Sequence, residues 1–64
     1  MKQVMKVEMF GRTIIIRQYP GKEYEFRVYE KISPYREHHL DSFESFEEAW
    51  EDVQYHLWKE PRCD

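Results

Sequence analysis

Residues 23–31 read Glu23-Tyr24-Glu25-Phe26-Arg27-Val28-Tyr29-Glu30-Lys31. Tyr24, Phe26 and Val28 fall at every second position, with charged or polar side chains between them. Period two marks a half-buried strand, because successive side chains leave opposite sides of a pleated backbone. A strand over 23–31 predicts Tyr24, Phe26 and Val28 on a core face. Glu25, Arg27, Tyr29 and Lys31 then share the other face.

Two alternating stretches precede this one. Over 3–10, Met5, Val7 and Met9 oppose Lys6 and Glu8. Over 12–19, Ile14 and Ile16 face the core, leaving Thr13, Ile15, Arg17 and Tyr19 outside. The link Phe10-Gly11-Arg12 is short, and Gly11 accepts the positive φ of a tight hairpin. Tyr19-Pro20-Gly21-Lys22 places Pro then Gly at the centre of a turn, which suits type II geometry. Links this short exclude a parallel crossover, so the strands form an antiparallel meander. After a looser segment, Ile32-Ser33-Pro34-Tyr35, residues 37–43 carry the fainter pattern of a short fourth strand.

The last element is a helix over 46–59. Ser45 and Glu48 have capping-box spacing: the hydroxyl accepts the amide of Glu48, and the carboxylate reaches back to the amide of Ser45. Glu47 and Glu48 favour the positive end of the helix dipole, and Pro61 stops the helix. Phe46, Trp50, Val53 and Leu57 form one apolar stripe with Ala49 at its margin. That stripe predicts burial against Ile14, Ile16, Tyr24, Phe26 and Val28. The expected fold is a small two-layer α+β domain over residues 1–64. An antiparallel sheet of three to four strands carries one C-terminal helix on one face, and residues 60–64 form a tail.

Composition agrees with one small folded unit. The 64 residues are 41% hydrophobic and 17% aromatic, which supplies the large side chains that disordered chains lack. No run of roughly 18 apolar residues suggests a membrane span. The single cysteine, Cys63, predicts a reducing, cytoplasmic setting, since small secreted domains usually carry several disulfides. The alternating N-terminal residues do not read as a signal peptide.

Charge is segregated. Residues 1–43 hold eight Lys and Arg against six Asp and Glu, while residues 44–64 hold two against seven. The net charge of −3 therefore comes from the helix and its flanks. On the helical wheel Glu47, Glu48, Glu51 and Asp52 avoid the buried stripe, and Tyr55 and Trp58 border them. Interfaces are enriched in Tyr and Trp, so these six residues form a candidate footprint for a protein partner with a basic surface. An ordinary solvated helix face accounts for the same carboxylates. On the outer sheet face Lys6, Arg17, Tyr19, Arg27, Tyr29 and Lys31 interleave cations with tyrosines. That pattern holds phosphates and stacks bases in sheet-surface RNA readers, making RNA or single-stranded DNA the alternative partner. An acidic chain opposes it, and cross-strand pairing explains the same residues.

Chemistry-bearing constellations are sparse. His38 and His39 are neighbours on a strand and so point apart, which hinders a shared metal site. Ser33, Ser42 and Ser45 have turn or cap roles, and Gly11 and Gly21 stand in turns rather than a phosphate loop. No catalytic residue, metal or cofactor is therefore expected, and the chain is read as a non-enzymatic module.

Three strands followed by an acidic amphipathic helix opening Ser45-Phe46-Glu47-Glu48-Ala49 resemble the small fold of HicB-type antitoxins. Size and element order are also similar to those of small phage-encoded inhibitors of host RNA polymerase. The resemblance covers residues 12–58 and carries over no functional residue. It implies an inhibitor or regulator of phage or mobile-element origin, acting on a larger nucleic-acid-handling machine. Exposed sheet edges leave two states open, a monomer and a two-fold homodimer.

Overall fold

The computed structural model describes residues 1–59. The tail expected over 60–64, Cys63 included, lies outside the described residues. Four strands, β1 (Lys2–Met9), β2 (Arg12–Gln18), β3 (Phe26–Ser33) and β4 (Arg36–Phe43), form one antiparallel sheet in the order β1-β2-β3-β4. The helix α1 (Phe46–Gln54) follows and continues as a π-helical turn over Tyr55–Lys59. The expected two-layer α+β meander is the observed fold, with the fourth strand fully formed.

The β1–β2 connection is a two-residue hairpin with Met9 opposite Arg12. Phe10 and Gly11 both take positive φ, 56° and 73°, the combination a type I′ turn requires. Phe10 is an unusual residue there, since a side chain in the left-handed region is crowded.

The β2–β3 connection is longer than the sequence suggested. The amide of Lys22 donates to the Tyr19 carbonyl at 3.2 Å, and Gly21 has φ 85°, as a Pro-Gly type II turn demands. The hairpin closes only where the Tyr19 amide donates to the Glu25 carbonyl at 2.7 Å. A type II turn does not match the strand twist, so two further residues are needed before pairing begins. The third strand therefore starts at Phe26 rather than Glu23. Tyr24, expected in the core, lies in the loop and is 48% exposed.

Ile14, Ile16, Val28, Ala49, Val53 and Leu57 form the core between sheet and helix. Ala49 is fully buried because a methyl lets the helix approach the sheet closely. Phe46 and Trp50 cap the core from its margins and are half-buried rather than enclosed. The rings of Phe46 and Phe26 meet edge to face, with centroids 6.1 Å apart. At the helix start the Glu48 amide donates to Ser45 Oγ at 3.3 Å. The Ser45 hydroxyl in turn donates to the Glu48 carboxylate at 3.1 Å, so the return arm of the cap runs through the hydroxyl and not the Ser45 amide.

At the other end of the helix Arg12 joins three elements. It donates from Nε and Nη2 to both Glu30 carboxylate oxygens at 2.8 Å, and from Nη1 to the His56 carbonyl at 2.6 Å. The guanidinium thus caps a carbonyl of the π turn and fixes the helix end over β2 and β3. Its hydrogen bonds hold the Glu30 carboxyl below the ordinary value against the opposing effect of burial.

Candidate functional site: an acidic groove beside the helix

The six predicted helix residues do not form one surface. Glu48, Glu51, Asp52 and Tyr55 line an open groove of about 410 Å3 together with Phe43 and Gln54. Glu47 and Trp58 lie outside it. The cause is the phase of the helix: 48, 51, 52 and 55 are spaced three and four apart and share a side. Phe43, the last residue of β4, joins the lining, with only Glu44 and Ser45 between it and the helix.

The groove combines charge with apolar surface. Glu47 and Glu51 are exposed and have no counter-ion among the described residues, and Tyr55 is 49% exposed. Asp52 is half-buried, with Oδ2 lying 3.3 Å from His56 Nε2 one turn on. The Tyr55 and His56 rings meet edge to face at 5.8 Å. Asp52 is therefore a positioned member of the groove wall rather than one of the open carboxylates. Trp58 is 49% exposed at the far end of the helix. Phe43 and Gln54 went unnoticed in the sequence. The only signal for Phe43 was its place one short link before the helix.

The outer sheet face is organised differently. Arg17 makes a two-pronged contact with the Glu37 carboxylate. That contact lowers the carboxyl's pKa and raises the guanidinium's, burial opposing both changes. Arg17 also lies over the Tyr29 ring at 4.9 Å, and Arg27 over the Tyr19 ring at 4.4 Å. The two phenols approach to 3.3 Å. Burial, then the Tyr19 contact, raises the Tyr29 pKa. His39 packs against Tyr29 with centroids 5.2 Å apart, and Lys6 pairs with Glu8 at 3.0 Å. Lys31 is exposed. The structure thus brings the basic and tyrosine residues onto one face, as expected, but joins most of them to one another.

Ile15 lies on this same face and was expected to be exposed. It is 3% exposed. Lys6 and Tyr29 are its direct cross-strand neighbours, with Arg17 flanking it, and long side chains on a sheet can shelter a central residue.

His38 stands opposite Glu30 and His39 opposite Tyr29, so the two histidines take opposite faces. Among the described residues no group of three or more His, Cys, Asp or Glu is placed to hold a metal ion. Also among the described residues, no helix is long and apolar enough to cross a membrane. Comparison with protein-family models, curated proteins and solved structures gives no match.

Proposed function

We propose that the chain is a non-enzymatic binding module that docks its acidic groove on a basic surface of a larger protein machine. A cytoplasmic regulator or inhibitor of a nucleic-acid-handling machine is the expected role. The convergence of Glu48, Glu51 and Asp52 with Tyr55 and Phe43 around one open groove carries this reading. A lysine or arginine can lay its aliphatic stem on the two rings and direct its cationic head to the carboxylates. Glu47, exposed outside the groove, extends the negative field beyond it, which accelerates encounter with a basic patch. Trp58, exposed outside the groove towards the far end of the helix, supplies further apolar contact.

The alternative, RNA or single-stranded DNA on the outer sheet face, has less support. Arg17 already holds Glu37, and Arg27 covers the Tyr19 ring on which a base would stack.

Fluorescence anisotropy with a labelled peptide rich in arginine and leucine tests the proposal. Binding should weaken at least tenfold between about 50 and 200 mM salt and be lost in Glu47→Lys with Glu51→Lys. Equal binding by the folded variant overturns it.

A further inference from the structure

The sheet has two free edges among the described residues, and they differ. β4 carries an extra residue, Leu40, midway along its length, and the register shifts again where β3 carries the extra residue Ile32. No more than three consecutive residues of β4 stay in step, and such bulges protect an edge from pairing. β1 has one shift, between Gln3 and Met5, after which Met5–Met9 runs unbroken against β2. The helix packs chiefly on β3, β4 and β2. The helix-side row of β1 is correspondingly less covered: Met5 and Val7 are half-buried, and Met9 is 37% exposed.

We propose that β1 pairs antiparallel with β1 of a second copy, Val7 facing Val7 across the two-fold axis. Charge selects both the occupant and the register. Side-chain alternation restricts the pairings to those that keep like faces together. Centring on Lys6 sets lysine against lysine, and centring on Glu8 sets glutamate against glutamate. Registers centred nearer the start of the strand run through the irregularity at Val4. Centring on Val7 places Lys6 opposite Glu8 of the second copy twice over, and Met5 opposite Met9 twice over. The strand segment is thus complementary to itself in charge and in apolar surface, as an isologous contact requires. The two sheets join into one of eight strands, with both helices on the same side. This inference is independent of the acidic groove.

The test is sedimentation equilibrium of the full chain from micromolar to near-millimolar concentration under reducing conditions. The mass should rise from 8.1 kDa towards twice that value. Lys6 and Glu8 are exposed, so Lys6→Glu and Glu8→Lys should each keep the fold by circular dichroism. Each should weaken the dimer by about tenfold, since both pairs become repulsive. Mixing the two single variants should restore it as a heterodimer, and the double exchange K6E/E8K should dimerise like the parent. A mass fixed at 8.1 kDa overturns the proposal. So does a dimer that the single reversals leave unchanged, or a mixture that stays monomeric.

Discussion

The outer face of the sheet and the solvent face of the helix are both built from charged and aromatic residues. The sheet face pairs most of its charges internally: Arg17 with Glu37, Lys6 with Glu8, Arg27 on Tyr19. The helix face leaves Glu47 and Glu51 without a counter-ion among the described residues, and Tyr55 half uncovered. Neighbouring carboxylates one turn apart repel by a few tenths of a kcal/mol. The difference separates a surface whose charges mostly meet one another from one whose carboxylates stay open to solvent, which is the contrast the proposed function rests on. Composition alone does not distinguish them, because what matters is where each charge finds its partner.

The largest expected effect lies under the sheet face. Ile15→Ala should cost about 2–4 kcal/mol in a denaturant melt, although Ile15 sits opposite the helix. A cost below about 0.5 kcal/mol would show that the outer layer shelters nothing. Next comes Arg12→Ala, expected to cost about 1–3 kcal/mol by leaving Glu30 half-buried without its cation and the His56 carbonyl without its donor. The same variant bears on pH. The Glu30 pKa is lowered in the folded state, so its contribution is complete above the ordinary carboxylate value. It is lost as pH falls through that value towards the lower folded one. Stability measured from pH 6 down to pH 3 should therefore fall less steeply in Arg12→Ala than in the parent. Ser45→Ala removes the cap at the helix start and should cost about 1 kcal/mol by thermal melt. The smallest effect on stability belongs to Glu51→Lys, within about 0.5 kcal/mol of the parent and towards greater stability. If that substitution destabilises substantially, the helix face is structural.

Legibility in the sequence followed the same division. The alternation of Met5, Val7, Ile14, Ile16 and Val28 and the stripe of Val53 and Leu57 were readable because each faces a single continuous core. β4 was faint: as an edge strand with an irregularity near Leu40, its Arg36-Glu37-His38-His39 opening has no apolar alternation. Tyr24 kept the period of β3 in sequence but fell in the loop, because backbone geometry after a Pro-Gly turn overrides side-chain pattern. Ile15 takes the outer face that its period predicts, but its burial is not legible there because its cover comes from other strands. Arg12 carried no local signal at all, its partners lying 18 and 44 residues away. The acidic residues of the groove were legible from helical spacing, whereas the place of Phe43 in its lining required the tertiary structure.

The central claim is that the helix groove, and not the outer face of the sheet, is the surface that docks a partner of another kind. Two-dimensional NMR of one labelled sample addresses it, titrated separately with a peptide rich in arginine and leucine and with a short single-stranded oligonucleotide. The account predicts peptide-induced shifts centred on Phe43, Glu48, Glu51 and Tyr55, lost in Glu47→Lys with Glu51→Lys, and no saturable response to the oligonucleotide. Saturable oligonucleotide shifts centred on Arg27 and Tyr29, with the helix signals unmoved by peptide, would contradict it.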